Sequence, residues 1–168
     1  MIAQHYLDES VFQLRKLKGQ ADKAMAQVAD DQFFTRLDAD ANSIALIVKH
    51  VTGNMRSRWT DFLTSDGEKP DRDRDSEFER APADTRDAVL ARWEAGWELL
   101  FNTLTSLQPN DLGKTVAIRG EPHTVVQAIN RQMSHYSSHV GQIVLLAKHF
   151  AGPHWQTLSI PKNKKEGA

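Results

Sequence analysis

Apolar residues recur at helical spacing in four long stretches of this 168-residue chain, separated by polar, turn-rich connections. The first stretch runs from about Ala3 to Val28. Leu7, Leu14, Ala21 and Val28 fall at seven-residue intervals, Val11 and Met25 widen the stripe, and Lys18 interrupts it. The second, from about Ser43 to Leu63, carries Ile44, Ile47, Val48, Val51, Met55 and Phe62, with Asn42 or Ser43 as its N-cap. The third follows Pro82, takes Asp84 as its cap and runs from about Thr85 to Leu107; Val89, Leu90, Trp93, Trp97, Leu100, Leu104 and Leu107 form its stripe. The fourth runs from about Val125 to Phe150. Thr124 with Gln127 three residues on is a capping-box signature, and Gly152-Pro153 ends the helix.

Two connections break the helical pattern. Ser65 to Ala81 (SDGEKPDRDRDSEFERA) is long and charged, with no apolar periodicity until Phe78. Lys114 to His123 alternates polar and β-branched residues around Arg119-Gly120, which predicts a small hairpin. The sum is an all-α fold: a four-helix bundle with a long crossover between the second and third helices and a small hairpin before the fourth. The bundle domain is expected over residues 1–154. Residues 155–168 read as an extended, then disordered, tail ending in Lys162-Asn163-Lys164-Lys165-Glu166.

Composition narrows the function classes. A formal net charge of −1 argues against a nucleic-acid surface, and no apolar run reaches the roughly 20 residues that span a bilayer. The start, Met1-Ile2-Ala3-Gln4-His5, lacks the basic-then-apolar pattern of a secretory signal, so a soluble cytoplasmic protein is expected. Cysteine is absent, which removes disulfides, thiolate metal sites and a cysteine nucleophile.

Candidate chemistry rests on histidine. His135 and His139 stand four residues apart on the fourth helix, where side chains share a face. With seven histidines in the chain, some pair at this spacing arises by chance in about one such sequence in four, so position has to carry the argument. On a helical wheel both border the apolar stripe, in line with Ala128, Gln132, Gln142 and Leu146. His50 stands beside the stripe of the second helix. Spacing leaves two readings open: hydrogen-bonded boundary histidines, the commoner case, or a three-nitrogen site on facing helices that leaves a coordination position for water or substrate. His5, His123, His149 and His154 lie near element ends or on solvent faces and read as ordinary.

Other constellations are weaker. Tyr136 follows His135 where a zincin H-E-x-x-H motif needs glutamate, which removes the peptidase reading. Asp71, Asp73 and Asp75 open like an EF-hand loop, but Ser76 replaces the sixth-position glycine and Pro82 the twelfth-position glutamate. The Asp/Arg alternation there reads as a solvated, self-compensated loop closing over the bundle. Arg56 and Arg58 could hold an anionic substrate group at a pocket mouth, against the commoner role of surface charge. Trp93 and Trp97 read as core packing, with a dimer seam as the alternative.

The four-helix pattern, Val48-Lys49-His50-Val51-Thr52-Gly53-Asn54 and the stretch from His135 to Ile143 resemble the DinB-like superfamily, and within it a bacterial branch of uncharacterised function. The segment from Ser57 to Pro70 and the close from Trp155 to Pro161 resemble the same branch. The resemblance covers nearly the whole chain. It implies a three-histidine metal site of His50, His135 and His139 holding one divalent ion, zinc or nickel. It also implies a mechanism class, since relatives in the superfamily include thiol-cofactor S-transferases, an isomerase and proposed hydrolases. The expected function is a metal-dependent hydrolase or thiol S-transferase acting on a small molecule, a low-molecular-weight thiol among the candidates, in a homodimer. The alternative is a non-catalytic metal-binding or stress-response bundle acting as an oligomeric interaction module.

Overall fold

A computed structural model describes residues 1–160; the basic close from Lys162 to Glu166 lies outside the described residues. The fold is mainly helical with one two-stranded sheet. The helices are α1 (Ile2–Met25), α2 (Asp30–Phe34), α3 (Ile44–Trp59), α4 (Arg86–Ser106) and α5 (Val125–Ala151), and strands β1 (Thr115–Ile118) and β2 (Glu121–Thr124) precede α5. Helix α3 packs chiefly on α4 and α1 chiefly on α5, while α3 also meets α5 and α1 meets α4. Among the described residues no helix is long and apolar enough to cross a membrane.

The stripes read from the sequence face the core. Leu7, Leu14, Ala21 and Val28 are all buried, and Trp59, Trp93, Trp97 and Tyr136 are its largest fully enclosed side chains. Trp93 and Trp97 meet edge-on inside, with centroids 5.4 Å apart. The large exposed apolar residues on the long helices are Ile2 and Phe12 on α1 and Leu145 on α5, so α4 offers no such surface for a seam.

Several boundaries differ from the sequence reading. Helix α1 stops at Met25, and the chain then folds into α2, which the periodicity had no room to show. Arg86 of α4 donates to the carbonyls of Met25 (2.7 Å), which also accepts from Val28 N, and of Val28 (2.6 Å), and so ties α4 to the turn that follows α1. Helix α3 stops at Trp59 rather than Leu63. Thr60 is extended and Asp61 takes a left-handed φ of 48°, a conformation that aspartate tolerates better than most residues. Phe62 still reaches the core from the turn beyond. The cap of α4 is Thr85, whose hydroxyl accepts from Ala88 N (3.2 Å), rather than Asp84. For α3 the cap is Ser43, accepting from Leu46 N (3.3 Å).

The expected hairpin is present, with Thr115 opposite Thr124 and Ile118 opposite Glu121. Arg119 and Gly120 turn it with φ of 56° and 76°, the paired positive values of a type I′ turn, which glycine adopts without strain. The crossover is fastened to this tip. Asp66 accepts from the N–H groups of Arg119 (2.9 Å) and Gly120 (2.7 Å), and Gly67 N donates to Ala117 O (2.8 Å). So held, the crossover covers the outer face of α3, and 13 of its 16 residues are buried, the polar His50, Thr52, Asn54, Ser57 and Arg58 among them. A helix enclosed all round yet carrying this many polar groups needs partners for them.

Candidate metal centre

Three imidazoles meet where α3 faces α5. His50 Nε2 lies 3.2 Å from His135 Nε2, which lies 3.1 Å from His139 Nε2. Their ligating nitrogens all fall within 4.8 Å of one another, and no other histidine or carboxylate joins the group among the described residues. Tetrahedral bonds of 2.0–2.1 Å place ligand nitrogens about 3.3 Å apart, close to the two short separations here. His5, His123, His149 and His154 stand apart from the cluster, as expected.

Two of the three remaining ring nitrogens have partners that fix what the cluster can hold, while His135 Nδ1 is buried without one. His50 Nδ1 lies 2.9 Å from Glu77 Oε2, and His139 Nδ1 lies 2.9 Å from Gln142 Oε1. A carboxylate and an amide oxygen only accept, so both rings carry their proton on Nδ1 and turn an Nε2 lone pair inward. His135 Nε2 can donate a proton to one of these lone pairs but not to both. A cation accepts all three nitrogens at once, so the donor set fits a divalent metal better than it fits a hydrogen-bonded cluster.

Burial pushes His135 down to about 3, and its imidazole neighbours His139 and His50 with the Arg72 and Arg58 guanidiniums push the same way. Burial also lowers His139; the Gln142 hydrogen bond opposes that shift and His50 adds to it. Both rings are therefore neutral near neutral pH, the state that ligates.

The partner of His50 comes from the crossover that the sequence reading took for solvated. Glu77 sits in a short 3-10 turn, Asp75–Phe78, and is 7% exposed. Arg72 grips its carboxylate through Nε (2.8 Å) and Nη2 (2.9 Å) and reaches Glu68 through Nη1 (3.2 Å). Burial alone would raise the Glu77 carboxyl, but the hydrogen bonds from His50 and Arg72 and the Arg72 charge outweigh it and leave the group below its ordinary value. Phe78 stacks on the His50 ring with centroids 4.9 Å apart. Gly53 on α3 admits this approach: a Cβ there would lie 2.1 Å from Glu77 Oε1. In the sequence only Phe78, the one large apolar residue of the run, marks this part of the crossover as packed; nothing marks Glu77 itself.

Tyr136, at the position of the zincin glutamate, points into the core. Its hydroxyl accepts from Trp59 Nε1 (3.0 Å) and donates to Asn54 Oδ1 (3.0 Å). Burial raises its pKa, so it stays a phenol and offers no base.

Two cavities flank the site. One of about 210 Å3 borders His50 and His135 and is lined by Asn54, Gln132 and arginines. A larger one, about 470 Å3, opens behind Glu77 between α3, the crossover and α4, and none of the three histidines lines it. Arg56 faces that larger space and pairs with Asp71, while Arg58 lines the cavity beside the histidines.

A family model described as "Protein of unknown function (DUF1572)" matches residues 1–164 of the chain, which therefore belongs to that family. No curated protein matches the chain.

Proposed function

We propose that this member of the DUF1572 family is a metal-dependent enzyme of the hydrolase or thiol S-transferase type, built on a DinB-like four-helix bundle. His50, His135 and His139 are its ligands for one divalent ion, zinc or nickel. The observation that carries the reading is the convergence of three Nε2 atoms with two of the ring tautomers fixed by Glu77 and Gln142. When bound, the ion supplies Lewis acidity toward an oxygen or sulfur donor of the substrate.

The chain's own residues do the rest. Glu77 keeps the His50 proton on Nδ1 and, through Arg72, anchors the ring to the crossover. Gln142 does the same for His139 from the next turn of α5. Phe78 covers His50, and the hydroxyl of Tyr136 occupies Asn54 Oδ1, leaving the Asn54 amide NH2 as the group it can offer to the cavity.

The bundle domain spans residues 1–154, works in the cytoplasm as a homodimer and acts on a small molecule, a low-molecular-weight thiol among the candidates, rather than on nucleic acid. A purely structural metal site would be closed by a fourth protein ligand. Three histidines beside a cavity of about 210 Å3 favour an open, reactive one.

Metal analysis of protein purified without added metal tests the reading. One zinc or nickel per chain is expected, with less than a tenth of it in His135→Ala and His139→Ala. No metal in the wild type, or the same content in the variants, removes the site.

A further inference from the structure

The cavity beside His50 and His135 is walled by guanidinium groups: Arg58 from α3, Arg72 and Arg74 from the crossover, Arg119 from the hairpin tip and Arg131 from α5. Four separate stretches of chain bring one charge type to one small space. Neutralisation is incomplete. Glu77 takes Arg72, and Glu68 is shared among Arg72 (3.2 Å), Arg119 (3.2 Å) and, at 4.0 Å, Arg58. Arg74 lies over the Phe78 ring at 5.2 Å and has no acidic partner among the described residues, nor has Arg131. Within ion-pair distance two carboxylates thus answer five guanidiniums, with Asp66 acting on Arg58 from further off.

Arg58 makes the surplus costly. It is 2% exposed, and its Nε and Nη1 are buried without a hydrogen-bond partner. Burying an incompletely paired guanidinium among like charges is unfavourable unless something returns the lost solvation. The packing does not let it escape, because Gly67 sits on it so closely that a Cβ there would lie 2.4 Å from Nη1. Guanidiniums offer forked N–H donors that match the oxygens of phosphate and carboxylate groups.

We propose that this cavity is a binding site for a small, multiply charged oxyanion, a phosphate or dicarboxylate group of the substrate, held by Arg74 and Arg131 with the buried Arg58 charge behind them, beside the histidine cluster. That this anion belongs to a substrate rests on the reading of the cluster as a metal-dependent enzyme; the anion site itself does not. A volume of about 210 Å3 suits one such group and a short body attached to it, and His50 and His135 line the same space.

Calorimetric titration of the chelator-stripped full chain with inorganic phosphate and with malonate, at low salt, tests the site and separates the two oxyanion types. One saturable site is expected for at least one anion, weakened more than about fivefold in Arg131→Gln and in Arg74→Gln, given the strength of charge-assisted hydrogen bonds. Both side chains are exposed, so the fold tolerates the changes. Lys148→Gln, on the far end of α5, is expected to bind as the wild type does. Saturation by neither anion, or equal weakening in Lys148→Gln, overturns the proposal. Metal content of the Arg131→Gln protein, measured as purified and before chelator treatment, is expected to match the wild type. Anion binding in a chain that never carries metal removes the enzyme reading and leaves the anion site standing, while metal without anion binding does the reverse.

Discussion

Glu77 Oε2 accepts a hydrogen bond from His50 Nδ1 at 2.9 Å, across 27 residues of sequence and from a loop onto a buried helix. A carboxylate behind a ligating histidine fixes its tautomer and raises its basicity, and loss of such a partner typically lowers metal affinity about 10–100-fold. Glu77→Gln keeps the shape and removes the charge. It is expected to weaken zinc binding within that range, read by competition against a chromophoric chelator, and to lower the melting temperature because Arg72 loses its bidentate partner. Unchanged zinc affinity would show that Glu77 is only a structural tie for Arg72.

Gly53 tests the same contact from the other side. Alanine in a helix interior ordinarily stabilises by about 1 kcal/mol relative to glycine. Here the added Cβ would meet Glu77 Oε1 at 2.1 Å and Cδ at 2.7 Å, so the carboxylate has to leave. Gly53→Ala is therefore expected to destabilise and to lose zinc affinity. Its effect on affinity should be strongly non-additive with Glu77→Gln, because both act on one contact. A more stable variant with intact affinity would mean that the Glu77 approach is looser than these distances.

These two residues mark the limit of what the sequence carried. The four long helices, their facing and the hairpin were legible because runs such as Leu7, Leu14, Ala21 and Val28, or Val89, Trp93, Trp97, Leu100 and Leu104, keep helical spacing and Arg119-Gly120 signals a turn. The five-residue α2 is too short for such a run. His50, His135 and His139 could be nominated because i,i+4 spacing and the stripe edge are one-dimensional facts. Glu77 and Arg72 could not, since their burial depends on the crossover folding back over α3, a contact without periodicity. Nothing local separates Glu77 from the exposed acids around it: Asp73, Asp75 and Glu79 share its composition and differ only in where the chain turns. Of the arginine wall only Arg58 was open to nomination from the sequence, alongside Arg56, which lines the other cavity; the remaining members come from the crossover, the hairpin and α5, which only the fold brings together.

Asp84 predicts an acid limb to the stability curve. Burial pushes its carboxyl up, but hydrogen bonds from Lys49, Arg92 and the Ala81 N–H, with the Lys49 charge, overcome this and bring it down to about 2. Because the folded value lies below the ordinary 3.8, its stabilisation is present in full above about pH 4 and is lost as pH falls toward 2, amounting to about 2 kcal/mol. Asp84→Asn is expected to lower stability by about that amount at pH 7 and to flatten the pH dependence between about 4.5 and 2, measured by urea unfolding across that range. An equally steep acid limb in the variant would assign it to other carboxylates.

Tyr136 separates core from chemistry at the position where a zincin would carry its base. Its hydroxyl bridges Trp59 Nε1 and Asn54 Oδ1, each at 3.0 Å, in a fully buried setting. Tyr136→Phe leaves a buried donor and a buried acceptor unpaired, which costs about 1–3 kcal/mol. For a chain of this size that is a fall in melting temperature of about 3–10 °C. Metal content is expected to stay at the wild-type level, because the hydroxyl's hydrogen bonds run to Trp59 and Asn54 and not to the three ring nitrogens. Calorimetric melting and metal analysis on one preparation give both numbers. Lost metal with unchanged melting temperature would reverse the assignment and move Tyr136 from the core into the site.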